Sequence, residues 1–137
     1  MVLHSKELFE MNGINIVFDT CTIIKLINRQ YDLHSLGINI DNAKLLTSVI
    51  VRMELLSKRN LSSDEERDIW DFLDDLVVAP IDEEIERKAI EIRRATSAKL
   101  PDCIIAATSI ILDATLLTDD NYMLNLSWPG LRAQAIS

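Results

Sequence analysis

The run INIVF, residues 14–18, is short, rich in β-branched and aromatic side chains, and stops abruptly at Asp19. Apart from Asn15 it is apolar on both faces, the pattern of a strand covered on two sides, and such strands belong to parallel sheets. A parallel sheet needs crossover connections, and the rest of the chain supplies them. Thr22–Asn28 (TIIKLIN) has helical character, with Thr20 or Thr22 placed to cap it. Lys44–Thr47 predicts a second strand, with Ser48 capping a helix over Val49–Lys58. Leu61-Ser62-Ser63-Asp64 opens a further helix in which Ile69, Phe72, Leu73 and Leu76 recur at helical spacing. Val77–Ile81 predicts a short strand or connector, since Pro80 cannot donate to a central ladder. Asp82 caps a long helix with a buried stripe of Ile85, Ala89, Ile92 and Thr96. Pro101 suits the first turn of the helix Asp102–Leu112, which is apolar almost all round and belongs in the core. Thr115–Thr118 predicts another strand, Trp128-Pro129-Gly130 a turn, and Leu131–Ile136 an edge strand. This alternation predicts an α/β fold, a mainly parallel sheet sandwiched by helices.

No repeat, low-complexity tract or linker divides the sequence, so residues 14–137 are expected to form one domain, with 1–13 as an N-terminal extension. Gln30–Asn42 is a polar connection. At 48% hydrophobic the chain can bury a core, and its 3 Gly and 3 Pro disfavour a many-turned all-β design. Two Cys are too few for a disulfide scaffold and point to a reducing compartment, so a cytoplasmic location is expected. The opening MVLHSKELFE lacks the apolar block of a signal peptide. The longest apolar run, Cys103–Leu112, is about half a bilayer crossing, so no membrane association is expected.

The net charge is −8, which taken globally disfavours nucleic acid as a partner. Its distribution changes that inference. Residues 64–91 hold 12 acids against Arg67, Arg87 and Lys88, so the rest of the chain is close to neutral. The acidic stretch reads most simply as a solvated face, with a surface for a basic partner segment as the functional alternative. Bases gather at Arg52, Lys58 and Arg59, and again at Arg93, Arg94 and Lys99.

Absences narrow the chemistry. Gly13, Gly37 and Gly130 are isolated, so there is no phosphate-cradling loop, and His4 and His34 sit apart in polar regions. What remains is acidic. Asp19 ends the first strand, where open parallel sheets place ligands. Asp119 and Asp120 follow another strand end, Asp102 opens a core helix, and Glu54 interrupts the apolar IVRMELL. Each alone has an ordinary explanation: an Asx turn for Asp19, a dipole-facing first-turn acid for Asp102, a solvent-facing helix residue for Glu54, a plain turn for Asp119-Asp120. Together they imply more, because carboxylates converging on one sheet edge cannot all stay ionised without a cation. Magnesium or manganese supplies that charge, takes oxygen ligands and can activate water against a phosphodiester. Cys21 and Cys103 neighbour two of these acids, but hard cations prefer oxygen, and both are read as free thiols rather than ligands. Trp70 and Trp128 are expected to pack rather than stack on bases.

The segments FDTCTIIKLI, SVIVRMELL, LPDCIIAAT and LLTDDNYML resemble the four acidic blocks of PIN-domain ribonucleases, especially the small VapC-like toxins. The resemblance runs from Ile14 to Leu131 and is most specific in the first and third blocks. It departs at Cys21, where the family often has Asn or Ser, and at Leu124, which replaces an aromatic residue, with Tyr122 nearby. The resemblance implies a three-layer α/β/α fold and a magnesium- or manganese-dependent endoribonuclease. Its catalytic, metal-binding acids would be Asp19, Glu54, Asp102 and Asp120, with Asp119 as an alternative fourth, supported by Thr20 and Thr118. It also implies an RNA substrate and a cognate antitoxin. Arg52, Lys58, Arg93 and Lys99 are weak candidates for RNA contacts, and the apolar side from Ile23 to Leu33 for a homodimer. The competing reading is a PIN-fold RNA- or protein-binding module without cleavage. A receiver-type phosphoacceptor wants paired acids after the first strand, and a haloacid-dehalogenase-like phosphatase wants Asp-x-Asp; the chain has neither.

Overall fold

Strand β1 (Ile14–Phe18) lies at the centre of a five-stranded sheet of order β3-β2-β1-β4-β5. Its partners are β2 (Ala43–Ser48) on one side and β4 (Ala114–Leu117) on the other, with β3 (Val77–Ala79) and β5 (Arg132–Gln134) at the edges. Every pairing is parallel. Ile16, Val17 and Phe18 are all but fully buried, as expected for a strand covered on both faces. These coordinates come from a computed structural model, which describes residues 14–28 and 42–136. The expected extension over 1–13, most of the polar connection and the far part of the Ile23–Leu33 face lie outside the described residues.

Helices α1 (Thr20–Ile27), α2 (Val49–Leu56) and α3 (Ser63–Asp74) contact one another, whereas α4 (Glu83–Ala95) packs chiefly on α5 (Leu100–Ile111). The chain steps from β1 to β2 to β3 in one direction across the sheet and returns from β3 to β4 in the other. Right-handed crossovers then put the two helix groups on opposite faces, the α/β/α arrangement. α5 is the core helix: Cys103 and Ile105 through Ser109 are buried, and the hydroxyls of Thr108 and Ser109 donate to the carbonyls of Ile104 and Ile105.

Local chemistry sets the helix starts. Ser48 caps α2, Asp82 caps α4, and Ser62 and Glu65 form a reciprocal capping box on α3. Several expectations shift. The cap of α1 is Asp19, neither Thr20 nor Thr22, because the helix already begins at Thr20, whose free amide the Asp19 carboxylate accepts. β3 stops before Pro80, whose missing N–H ends the ladder. Thr96 is half-buried at the end of α4, where its hydroxyl donates to the Ile92 carbonyl, so it closes the helix instead of extending the buried stripe. A short helix α6 (Asn121–Asn125) follows Asp120, where only a turn of acids was expected. Trp128 packs against the core, but Trp70 is 42% exposed on α3, against the expectation that both pack. On α1, Ile23 is fully buried and Ile24 is the exposed apolar residue. Among the described residues no helix is long and apolar enough to cross a membrane.

Candidate active site

The order of the sheet reverses between β1 and β4, so the connections leaving these neighbouring strands diverge and open a crevice at their C-terminal ends. Asp19 follows β1 directly, and Thr118, Asp119 and Asp120 follow β4. Strand ends are tied together there: Asp19 N–H and the Thr22 hydroxyl both donate to the Leu117 carbonyl, at 3.1 and 2.8 Å. A cavity of about 430 Å³ results, lined by Asp19, Thr20, Glu54, Asp102, Asp119 and Asp120, together with Cys21, Ile24 and Lys25. All five acids singled out in the sequence therefore face one cavity.

Their surroundings differ. Asp19 is 6% exposed and held on both oxygens: Oδ1 accepts from Thr20 N–H at 2.7 Å and Oδ2 from the Thr118 hydroxyl at 2.7 Å. Thr118 also accepts from Asp120 N–H at 3.0 Å, so one hydroxyl links the first and last acids. Thr20 donates its hydroxyl to Glu54 Oε1 at 3.0 Å, which fixes an otherwise exposed glutamate on α2. Asp120 caps α6 through Oδ1, which accepts from Tyr122 N–H at 2.8 Å, while its Oδ2 has no partner among the described residues. Asp119 commits both oxygens, Oδ1 to Ile136 N–H at 2.9 Å and Oδ2 to the Lys25 ammonium. Asp102 sits half-buried in the first turn of α5 with no hydrogen bond among the described residues. Burial pushes its carboxyl above the usual range, and the charges of Asp19, Asp120 and Glu54 push it further, against a smaller pull from Lys99.

That shift tests the fit to a cation. A desolvated carboxylate without a donor, repelled by three others, is a donor set that favours a hard divalent ion, and all of its atoms are oxygen. No preformed cage is present: among the described residues, no three Asp, Glu, His or Cys side chains are drawn together at metal-binding spacing. The match is thus one of charge and donor type. The thiols stay peripheral: Cys21 Sγ lies 3.8 Å from Asp19 Oδ2, and burial raises the buried Cys103 thiol, which donates to the Ala98 carbonyl.

The four bases expected near RNA do not line this cavity. Lys58 pairs with Glu65 at 3.8 Å and borders a neighbouring groove that shares Thr20 and Glu54 with the cavity. Arg93 acts on Cys103 and Lys99 on Asp102, while Arg52 is half-buried with no ion pair among the described residues. The cation that does line the cavity is Lys25, which sequence reasoning missed. Its signal was a lone charge in the apolar TIIKLI, six residues after Asp19 and so on a neighbouring turn of α1.

Comparison with known proteins adds a family. The PIN domain family model matches residues 16–128. No curated protein sequence matches the chain. Among solved structures, VapBC2 from Rickettsia felis, bound to a DNA fragment from the promoter, superposes with a TM-score of 0.78 at 21% identity, covering 90% of this chain and 100% of that one. DNA-bound VapBC from Salmonella typhimurium gives 0.73 at 21% identity, covering 90% and 99%. A toxin–antitoxin complex from Klebsiella pneumoniae gives 0.67 at 23% identity, covering 85% and 94%. At these identities the likeness is one of fold.

Proposed function

The chain belongs to the PIN-domain family, and from that premise we propose that it is a magnesium- or manganese-dependent endoribonuclease, the toxin of a toxin–antitoxin pair. The observation that supports this reading most is the single cavity lined by Asp19, Glu54, Asp102 and Asp120, where Asp102 has no hydrogen-bond donor among the described residues and burial, with its neighbours' charges, favours its protonated form. Asp19, Glu54 and Asp102 would hold the ion, which when bound would polarise a phosphodiester and lower the pKa of the attacking water. The chain's own groups do the rest. Thr118 and the Thr20 amide fix the orientation of the Asp19 carboxylate at the end of β1. Thr20 holds Glu54 toward the same cavity. Asp120 keeps one oxygen uncommitted and so can orient the water. Water adds across the P–O bond and leaves two shorter RNA strands.

The test uses purified protein, single-stranded RNA and added Mg²⁺ or Mn²⁺, with a chelator control. Cleavage should require the ion, and Asp19→Asn should slow it by at least about 100-fold, the upper range for losses even of outer-shell partners. Cleavage unchanged in Asp19→Asn would remove the enzymatic reading and leave a PIN-fold binding module. A cognate antitoxin is the proposed partner, supported by the fold shared with the Klebsiella pneumoniae toxin–antitoxin complex. If a small open reading frame lies beside this gene, its product should co-purify with the chain and suppress cleavage; absence of such a frame would weaken the toxin assignment and leave the nuclease. The proposal places the protein in the cytoplasm as a homodimer, with exposed apolar side chains such as Met53 and Trp70 available for self-association.

A further inference from the structure

Next to the acidic cavity lies a second depression of about 440 Å³, lined by Asn121, Tyr122, Asn125, Leu126 and Ser127. One residue joins the two. Asp120 lines the cavity and accepts the backbone N–H of Tyr122, which lines the depression. Tyr122 is 42% exposed, a large aromatic surface left in water beside the acids. It is nevertheless anchored: its hydroxyl hydrogen-bonds Ser97 at 3.1 Å, in the short segment between α4 and α5 that leads to Asp102. A ring held at its backbone and at its far end loses little freedom when something stacks on it.

The lining chemistry is also distinctive. No carboxylate lines the depression, in contrast to the cavity beside it. Asn125 donates its amide N–H to the Asn121 carbonyl at 2.7 Å, which leaves Oδ1 to accept. The Asn121 side-chain amide makes no hydrogen bond among the described residues and can both donate and accept. An anchored aromatic ring flanked by amide groups with donors and acceptors to spare is how proteins take an unpaired base, by its face and by its edge.

We propose that Tyr122 is a specificity-determining residue that stacks the base next to the scissile phosphate, with Asn121 and Asn125 reading that base's edge. The inference rests on the ribonuclease reading, because it takes the same strand past the acids. Tyr122→Ala leaves intact the backbone N–H that Asp120 accepts, so the substitution removes the ring and not the cap of α6.

The experiment uses the full chain carrying Asp19→Asn, titrated with fluorescent single-stranded RNAs of about twelve nucleotides and with a 2-aminopurine version whose emission falls on stacking. Tyr122→Ala should weaken binding about tenfold, within the range for loss of one stacked base, and abolish the quenching. Tyr122→Phe should stay within about twofold of Tyr122, since the ring remains. Binding and quenching unchanged in Tyr122→Ala would overturn the proposal. So would a loss in Tyr122→Phe equal to that in Tyr122→Ala, which would mean that the Ser97 contact alone matters, and so would failure of every probe to bind. With Asp19 restored, Tyr122→Ala should cleave at altered sequence positions; cleavage at unchanged positions overturns the base site alone. Binding that depends on Tyr122 in a protein that cleaves nothing overturns the nuclease reading and the base's place beside a scissile phosphate, and leaves the stacking site itself.

Discussion

Asp119 commits one carboxylate oxygen to the Ile136 amide and the other to Lys25, whereas Asp120 commits one oxygen to α6 and leaves the second open. Neighbours in sequence thus have separate duties, one joining the segment after β5 to α1 and the other keeping an oxygen open to the cavity. Asp119→Asn should cost about 2 kcal/mol of stability in urea unfolding, the scale of a lost hydrogen bond to a charged group. Asp120→Asn should cost more cleavage than Asp119→Asn and less stability. Asp102 carries the pH prediction. Its folded-state pKa lies above the ordinary carboxyl value, so across that interval the folded state keeps a proton that the unfolded state releases. Stability of the metal-free protein should therefore fall as pH rises through the raised pKa. Asp102→Asn, which cannot ionise, should raise the melting temperature at neutral pH, and the gain should vanish in acid below the usual carboxyl range. Thermal melts at several pH values check the sign.

At the scale of elements, the caps Ser48 and Asp82 and the core helix were legible because their signals are local, whereas the cap of α1 was misplaced onto the threonines after Asp19. Leu61-Ser62-Ser63-Asp64 marks the start of α3, and the structure adds a capping box there, with the Glu65 carboxyl held below its usual range by the Ser62 amide and hydroxyl. Ser62→Ala should cost about 1 kcal/mol, measured by chemical denaturation. Ile105 of α5 is 1% exposed, and Ile105→Ala should cost about 2–5 kcal/mol in the same assay. The helix α6 escaped prediction because its five residues are too few to show a period. Its start is still written in Asp120, which reads as a turn acid from sequence and acts as a helix cap. The 12 acids of residues 64–91 fall mainly on exposed positions of α3 and α4, several in ion pairs such as Arg67–Asp64 and Arg87–Glu83. That pattern is the solvated face expected of them.

For the whole molecule, the reversal of strand order sets where charge accumulates. Acids up to about 100 residues apart in sequence meet where the connections after β1 and β4 diverge, and the fold holds them there against their repulsion. A divalent ion that binds the folded chain and not the unfolded one must stabilise it, by about 2.7 kcal/mol at one hundred times its dissociation constant. Manganese should therefore raise the melting temperature of the wild-type protein, and Asp19→Asn should lose that rise. A shift of equal size in both would place the ion elsewhere.

By itself the sequence determined the alternation of strands and helices, the parallel character of the sheet and which acids come to line one cavity, because burial patterning, cap residues and motif spacing act over a few neighbouring positions. Only the tertiary structure decided that Asp119 is tied to Lys25 and Ile136, that Tyr122 is braced by Ser97, and that Trp70 faces water. Each of these depends on which segments from distant parts of the chain share a cavity or an edge, and such partners are chosen by packing of the whole sheet and its helices rather than by any local run of residues.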